Sequence, residues 1–261
     1  MREILERLVR GEITVEEAEK ALRVDIVEKV DDVARLDISR SVRRGVPEIV
    51  FAEGKSNEDL ASICESMLNK NRRAIVSRLS DSQLSVLKQI FSTKYGFREY
   101  VHSGCVVLKR EDSTVTQTGG KVGILTAGTA DLGVAEEAAM IAEEMGCKVY
   151  LEADAGVAGI HRLVEPLSKM IRNDVDTLIV VAGREGALPT VVAGLVDLPI
   201  IAVPTSSGYG YGGHGQAALM AMLQACSLGL AVVNIDAGIA AGVIAAQISN
   251  RVAKARSTQT H

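Results

Sequence analysis

Two side chains of the sequence could carry out catalysis, Glu185 as a base and Cys226 as a nucleophile. Glu185 lies between Gly183 and Gly186, directly after an apolar run, and a carboxylate held there could accept a proton from a bound substrate. A solvated loop glutamate without a function would look the same. Cys226 ends an apolar helical segment, where a cysteine more often packs in a core than acts as a nucleophile. The residue types alone leave both questions open.

Two other segments could bind phosphate. Gly128 and Thr129 precede a predicted helix, so their backbone N–H groups could face a phosphate at the helix N-terminus. A tight turn with Asp131 as the helix cap explains the same residues. His161 and Arg162 begin another predicted helix, and the arginine could hold a phosphate or carboxylate through two hydrogen bonds. A surface arginine and a capping histidine are the alternative.

The segment 206–215 contains five glycines in ten residues. Such a loop loses much conformational entropy on folding, which favours a ligand-binding loop, with Ser206 and Gly208 as candidate contacts, over a plain linker. The turn at Gly128 and Thr129 is not a Gly-x-Gly-x-x-Gly fingerprint, and the sequence contains no P-loop or Gly-x-Ser-x-Gly elbow. It therefore gives no support for a Rossmann-type dinucleotide site, and no zinc-ligand spacing occurs.

The composition narrows the class of protein. The formal net charge is −4, so no basic footprint argues for a nucleic-acid partner. The four cysteines are scattered without a Cys-x-x-Cys pair, which is typical of free thiols in a reducing cytoplasm. The charged, amphipathic N-terminus is unlike a signal peptide, and charged residues or prolines interrupt the apolar stretches. We therefore predict a cytoplasmic protein that does not span a membrane.

The glycine content divides the chain near residue 119. Polar residues 111–118, followed by two glycines, predict a linker. We assign residues 1–118 to a small N-terminal α+β domain, 119–253 to a second domain, and 254–261 to a flexible tail.

Within the N-terminal domain, two short helices come first, and Thr14 and Glu17 predict a capping box at the start of the second. Strands are predicted over residues 48–52 and 74–77, and helices over 56–68 and 80–91.

Five apolar runs alternate with helices in the second domain. The predicted strands are 122–126, 149–153, 177–182, 200–203 and 231–235. Strands of this kind are covered by helices on both faces, and right-handed crossovers make them parallel. The predicted fold class is α/β, a three-layer doubly wound parallel sheet with a smaller α+β domain. Ligands bind such sheets beyond the carboxyl ends of the strands, so the loops that follow the five strands are predicted to form one rim.

The rim segments resemble a known superfamily. Residues 127–131, 159–163, 182–189 and 199–205 are similar to the successive site loops of the aminoimidazole ribonucleotide carboxylase (PurE-like) superfamily. Residues 44–55 and 232–238 extend the likeness over nearly the whole chain, where it resembles the LarB family, the carboxylase/hydrolase of nickel-pincer nucleotide cofactor biosynthesis. The combination of N-terminal and C-terminal motifs is specific, whereas any single motif is not.

The resemblance implies a flavodoxin-like catalytic domain and a reaction. LarB-like enzymes add carbon dioxide to ring carbon 5 of nicotinic acid adenine dinucleotide and hydrolyse its phosphoanhydride, giving pyridinium-3,5-biscarboxylic acid mononucleotide and AMP. The family's nucleophilic cysteine falls on Cys226 and its essential glutamate on Glu185, so both side chains are expected to face the same cavity. PurE-like relatives assemble as octamers, so a homo-oligomer is implied.

The expected substrate contacts are residues of the rim loops and one N-terminal lysine. They are Gly128, Thr129, Asp131, His161, Arg162, Ser206, Gly208, Asn234 and Lys55. Asp131 is also a candidate ligand for Mg²⁺, although the sequence does not establish metal dependence. A surface lysine is the alternative for Lys55.

The chain departs from the family's pattern at several positions. Arg184 stands where methionine is expected, Ala237 where asparagine is common, and residues 227–229 where Ala-Pro-Gly is common, while His214 interrupts the glycine loop. Two other functions remain open. One is a purine-pathway aminoimidazole ribonucleotide carboxylase or mutase, which residues 159–162 make less favourable. The other is a non-catalytic nucleotide sensor.

Overall fold

The computed structural model describes residues 2–18, 28–30, 34–36 and 45–259, with the backbone alone for 28–30, 34–36 and 259. The chain forms two compact units. The first comprises Met1–Arg98 and Val106–Ser113, and the second comprises Glu99–Cys105 and Thr114–His261. None of the helices in these described parts combines the length and apolar character that crossing a membrane requires.

Three hydrogen bonds explain why residues 99–105 belong to the second unit. The Tyr100 hydroxyl donates to Glu143 at 2.8 Å. The backbone N–H groups of His102 and Ser103 donate to Glu136 at 2.8 and 3.2 Å. Both glutamates lie on a helix of the second unit, so this turn is fixed to the domain that follows it in the sequence.

The N-terminal part of the chain combines helices with two small sheets. Its helices are α1 (Arg2–Val9), α2 (Asn57–Asn71) and α3 (Asp81–Phe91). Its strands are β1 (Glu28–Val30), β2 (Ala34–Leu36), β3 (Val50–Phe51), β4 (Arg73–Ser77), β5 (Gly96–Tyr100) and β6 (Cys105–Lys109). β1 and β2 pair antiparallel, and the larger sheet has the order β3-β4-β6-β5. The predicted α+β class is confirmed.

Side-chain caps mark the starts of three helices. Ser56 caps α2 by accepting from the Asp59 N–H at 3.1 Å, and Ser80 begins a capping box on α3. Thr14 and Glu17 form the predicted capping box, with N–H to side-chain distances of 2.8 and 3.2 Å. That helix is described over 15–18, and its continuation lies outside the described residues.

The second unit is a five-stranded, all-parallel sheet with helices. Its strands are β7 (Lys121–Thr126), β8 (Lys148–Glu152), β9 (Thr177–Ala182), β10 (Ile200–Pro204) and β11 (Leu230–Val232). Its helices are α4 (Leu132–Glu144), α5 (His161–Arg172), α6 (Leu188–Ala193), α7 (Gln216–Leu223) and α8 (Gly238–Gln259). The strand order β11-β10-β9-β7-β8 is the flavodoxin-like order 2-1-3-4-5. The predicted doubly wound sheet is confirmed.

Alternate residues of each strand serve opposite faces of this sheet. Leu178 and Val180 of β9 pack in one core with Leu163 and Leu167 of α5 and with Met222 of α7. Their neighbours on β9 are equally buried and face the other layer, where α4 and α8 lie in close contact. The continuous apolar runs of the sequence arise from this covering on both faces.

The last helix continues through residues 254–259, where the sequence analysis expects a flexible tail, while 260–261 lie outside the described residues. An ion pair explains the added order. The Arg256 guanidinium contacts Asp176, whose side chain is 2% exposed, and donates to the Gly119 carbonyl oxygen at 3.1 Å. The hydrogen bond to Asp176 raises the pKa of Arg256 above its usual range. A single buried acid therefore fixes the end of α8.

Candidate active site

A cavity opens where the strand order of the second unit reverses, between β7 and β9. In sheets of this order, ligands bind beyond the carboxyl ends of the strands at this switch point. The cavity has a volume of about 290 Å³. Its lining comes from the loops after β7, β8, β9 and β10, and includes Gly128, Asp131, Gly156, Arg162, Arg184, Glu185, Ser207 and Tyr209. Four of the five predicted rim loops therefore meet at one cavity.

The fifth loop, after β11, supports this rim without lining the cavity. The Asp236 carboxylate accepts a hydrogen bond from the Ser206 N–H at 2.9 Å. The backbone N–H of Asp236 donates to the Pro204 carbonyl oxygen at 2.9 Å. These bonds tie the β11 loop to the β10 loop.

Asp131 is the hydrogen-bonding centre of the cavity wall and is only 4% exposed. Its Oδ1 accepts from the Thr205 hydroxyl at 2.6 Å and from the Ser207 hydroxyl at 2.8 Å. Its Oδ2 accepts from the Gly128 N–H at 3.0 Å. A buried carboxylate requires such donors, and here they come from loops after two different strands. Asp131 therefore sets the relative position of the β7 and β10 loops.

Gly183 allows the β9 loop to approach this centre. A Cβ atom at Gly183 would lie 2.4 Å from the Ser207 Oγ and 2.7 Å from the Thr205 Oγ1. Both distances are too short for any larger residue unless the hydroxyls move. The glycine that precedes Arg184 and Glu185 is therefore a packing requirement of the site.

Glu185 lies at the mouth of the cavity, and its side chain is 63% exposed. The Arg184 Nε is 4.0 Å from Glu185 Oε2, a weak contact in solvent. The carboxylate is therefore accessible to a ligand, as a base that receives a substrate proton must be.

Arg162 lines the cavity and is held by Asp154. Its Nη1 donates to both carboxylate oxygens, at 3.0 and 2.9 Å. A guanidinium has five N–H donors, so this pairing orients the group and still allows further hydrogen bonds to an anion.

Arg184 also contacts Tyr209, on the neighbouring loop. Its guanidinium carbon lies 4.5 Å from the centre of the Tyr209 ring, and its Nη1 donates to the phenol oxygen at 2.6 Å. The two residues form a cation–π pair at the edge of the cavity.

The predicted contacts divide into three groups. Gly128, Asp131, Arg162 and Glu185 line the cavity. Thr129, His161, Ser206, Gly208 and Asn234 lie on rim loops without lining it. The Asn234 side chain instead accepts from the N–H of the next residue at 2.9 Å. Lys55 belongs to the first unit.

Sequence reasoning missed four residues of the site, Asp154, Thr205, Ser207 and Tyr209. The glycine-rich loop was recognised, but Ser206 was selected in place of Ser207. The signal for Ser207 and Thr205 is the spacing of two hydroxyls two positions apart, directly after a buried strand.

Cys226 and Glu185 do not share this cavity within one chain. Glu185 follows the carboxyl end of β9, whereas Cys226 lies in the turn that leads into β11. The first residue of β11 pairs with Ile200, the first residue of β10, so this turn lies at the amino ends of the parallel strands. The expectation that both side chains face one cavity is therefore wrong for a single chain. The crossover helices are the reason, because each one returns the chain from the carboxyl ends of the strands to their amino ends.

The four cysteines differ sharply in exposure. Cys226 is exposed, and Cys64, Cys105 and Cys147 are buried. Burial raises the pKa of the Cys64 thiol to about 12 and that of Cys147 to about 11. Among these thiols, Cys226 is the one that solvent reaches.

Asp131 does not fit a metal site well. Both of its oxygens already accept hydrogen bonds from protein groups. Across the parts of the chain that the structure describes, no group of three or more His, Cys, Asp or Glu side chains could hold a metal ion. The arrangement of Asp131 is that of a structural acceptor.

Two family models match the chain. The AIR carboxylase model covers residues 121–259, which includes the whole five-stranded sheet and the cavity. The model of the LarB/PurE-like N-terminal domain covers residues 27–108. Together they account for both parts of the chain.

Three similar proteins support this match. An uncharacterized protein of Methanocaldococcus jannaschii is 41% identical over 251 residues, 95% of this chain and 96% of that protein. An N5-carboxyaminoimidazole ribonucleotide mutase of the same organism is 34% identical over 127 residues, 48% of this chain and 76% of the mutase. A mutase of the same name from Pyrococcus horikoshii is 34% identical over 86 residues, 33% of this chain and 49% of the mutase.

Proposed function

Since the chain belongs to the LarB family and has a C-terminal PurE-like carboxylase domain, we propose that it carboxylates the pyridinium ring of nicotinic acid adenine dinucleotide. The same protein then hydrolyses the phosphoanhydride, which releases AMP and pyridinium-3,5-biscarboxylic acid mononucleotide. The product serves nickel-pincer cofactor synthesis. The observation that carries the proposal is the position of Glu185, at the mouth of the cavity that opens at the switch point of the parallel sheet. The same chain also has the LarB-type N-terminal domain.

The cavity supports a small, partly apolar reactant beside a charged one. Ala127, Ala130 and Val157 supply apolar lining, and Arg162 supplies a cation. Carbon dioxide is apolar and needs such a lining in order to stay near the ring, while a phosphate or carboxylate needs the guanidinium. These requirements match a nucleotide that reacts with carbon dioxide.

In the proposed carboxylation, a thiolate of Cys226 first adds to the electron-poor ring, which forms a C–S bond and converts the pyridinium into an enamine. Ring carbon 5 then attacks carbon dioxide and forms the new C–C bond. Glu185 accepts the proton from carbon 5, the C–S bond breaks, and the thiolate leaves as the ring regains aromaticity. A soft, reversible nucleophile is required, and cysteine supplies it.

These reaction steps need Cys226 from a second copy of the chain, because within one chain Cys226 and Glu185 lie at opposite ends of the parallel strands. Exposed apolar side chains near Cys226 support such a contact. Leu223 is 66% exposed and Leu228 is 91% exposed, and exposed apolar patches mark protein interfaces. A homo-oligomer, an octamer by family resemblance, would then be the catalytic form.

Hydrolysis of the phosphoanhydride needs positive charge and N–H donors at the departing phosphate. Arg162, oriented by Asp154, and the backbone of the Gly128–Thr129 turn are the candidates. A water molecule attacks phosphorus, the bridging P–O bond breaks, and the guanidinium stabilises the charge that develops on the oxygens.

The test is direct incubation of the purified protein with nicotinic acid adenine dinucleotide and ¹³C-bicarbonate. We expect equal amounts of AMP and of a mononucleotide that carries the isotope. Mass spectrometry measures both products over time. Binding of the dinucleotide without turnover would contradict the proposal and favour a sensor.

A second candidate is favoured by the two mutase relatives, which match 48% and 33% of this chain. The chain would then act on an aminoimidazole ribonucleotide. Conversion of that nucleotide, with no reaction of the pyridinium dinucleotide, would establish this alternative. It leaves the N-terminal match over residues 27–108 unexplained.

A further inference from the structure

We propose that Tyr209, held in place by Arg184, is the platform on which the adenine ring of the dinucleotide stacks. The inference rests on the proposed function and deepens it, because it assigns a subsite to the half of the substrate that is not carboxylated. It concerns two side chains on adjacent loops, one of which departs from the family's pattern.

The size of the cavity requires a subsite outside it. Its volume of about 290 Å³ is at the low end of ligand sites, which span roughly 300–1,000 Å³. The pyridinium ring and its ribose must occupy this space in order to reach Glu185. The adenosine half of a dinucleotide then extends through the mouth, along the part of the rim that Tyr209 lines.

Tyr209 presents an open ring at that position. It contributes to the lining of the cavity, yet 72% of its surface is exposed. Arg184 lies over the ring, so the high exposure leaves the other face available. Aromatic faces stack with any nucleobase, and this is a common way to bind bases without sequence selection.

The ring is fixed before a ligand arrives. The hydrogen bond from Arg184 Nη1 to the phenol oxygen is 2.6 Å long. The backbones of the two loops also touch, since a Cβ atom at Gly208 would lie 3.1 Å from the Arg184 nitrogen, and one at Gly212 would lie 3.1 Å from the Arg184 oxygen. A platform that is already ordered loses little entropy on binding.

Arg184 acts through Tyr209 and is therefore a positioning residue. Its backbone has a φ of +49°, which is strained for a residue with a side chain, and this conformation accompanies a guanidinium directed onto the neighbouring loop. A methionine at this position could not donate to the phenol oxygen. Arg184 therefore holds the Tyr209 ring more firmly than a methionine at this position would.

The experiment measures AMP binding by calorimetry, which needs no catalysis. We expect wild-type protein to bind AMP and Tyr209→Ala to weaken the affinity about tenfold or more. Tyr209→Phe keeps the ring but loses the hydrogen bond from Arg184, so it should lose much less affinity than Tyr209→Ala. Arg184→Met should give an intermediate loss. Tyr211→Ala is the matched control, because Tyr211 lies on the same loop, is fully exposed and does not line the cavity.

Kinetics with two substrates provide the second measurement. Tyr209→Ala should raise KM for the dinucleotide about tenfold and leave KM for nicotinic acid mononucleotide, which lacks adenosine, unchanged. An unchanged AMP affinity in Tyr209→Ala, or no AMP binding by wild type, would overturn the platform. If AMP binds as expected but neither pyridinium nucleotide is carboxylated, the proposed reaction fails and the adenine subsite stands.

Discussion

Glu185 and Cys226 lie at opposite ends of the same parallel sheet. Glu185 follows β9, whose last residue pairs with Pro204 at the carboxyl end of β10. Cys226 lies in the turn before β11. In the same turn, the Gly229 carbonyl oxygen accepts a hydrogen bond at 3.1 Å from the N–H of Ile200, at the amino end of β10. A strand of five residues spans about 17 Å. The two groups can therefore act on one substrate ring only if they come from different copies of the chain.

Mixed oligomers test this arrangement. Glu185→Gln and Cys226→Ala should each abolish carboxylation when pure, because one removes the proposed base and the other the proposed nucleophile. The two variants are then unfolded and refolded together in equal amounts. About a quarter of the sites should combine an intact Glu185 with an intact Cys226 from different chains, so about a quarter of the wild-type activity should return.

Two controls accompany the mixture. Glu165→Gln removes a carboxylate whose side chain is 77% exposed in a surface ion pair, and it should keep full activity. Mixing either inactive variant with itself should restore nothing. If the Glu185→Gln and Cys226→Ala mixture also stays inactive while size-exclusion chromatography shows hybrid oligomers, the two-copy site is wrong.

The buried thiols predict a loss of stability at high pH. The folded-state pKa of Cys64 is raised from 9.0 to about 12, and that of Cys147 to about 11, so the unfolded chain ionises first. Stability is intact below pH 9 and falls as pH rises toward these values, by up to about 1.4 kcal/mol per pH unit for each thiol. Chemical denaturation from pH 8 to 11 should show this, and Cys64→Ala should reduce the slope. An equal slope in the variant would contradict the assignment.

The Asp131–Thr205 hydrogen bond predicts a measurable coupling. Thr205→Val removes one donor to Asp131, and Asp131→Asn places an amide N–H₂ against groups that themselves donate. Each change should lower the free energy of unfolding by about 1–3 kcal/mol. The double variant should lose less than the sum, because both changes break the same bond. Strict additivity in urea denaturation would show that the bond contributes little.

Gly183 and Gly213 form a matched pair for the packing of the rim. A Cβ atom at Gly183 would meet two hydroxyls below 2.8 Å, whereas one at Gly213 would meet nothing within 4 Å. Gly183→Ala should therefore cost about 1–3 kcal/mol and weaken nucleotide binding, and Gly213→Ala should change neither quantity. Thermal unfolding and calorimetry measure both effects. Equal behaviour of the two variants would mean that the β9 loop has more freedom than these contacts allow.

The Arg256–Asp176 pair predicts that the end of α8 stabilises the second unit. Arg256→Ala leaves a carboxylate whose side chain is 2% exposed without its cation, although the Lys121 N–H still donates to it at 2.7 Å. We expect a loss of about 1–3 kcal/mol in urea denaturation. Arg251→Ala, at an exposed position on the same helix, is the control. If the two variants are equally stable, residues 254–259 behave as the flexible tail predicted from the sequence.

The local sequence was sufficient for most elements. The strands of the second unit were found because both of their faces are covered, which makes each one a continuous apolar run. The capping box of Thr14 and Glu17 was found because its side chains bond N–H groups three residues away. Residue order along the chain carries both signals. The strand β11 was predicted too long, as 231–235, because an edge strand can end while its sequence stays apolar.

The sequence by itself also determined the family and which loops form the site, because parallel strands bring all their carboxyl ends to one edge. Only the tertiary structure decided which side chain of each loop reaches the cavity. The Ser206 N–H donates to Asp236, whereas the Ser207 hydroxyl donates to Asp131. The geometry of the turn decides between the two serines, and both acceptors are distant in the sequence, so no local pattern predicts this outcome. The position of Cys226 at the opposite end follows from chain order instead, because a residue directly before a parallel strand lies at the amino ends of the strands.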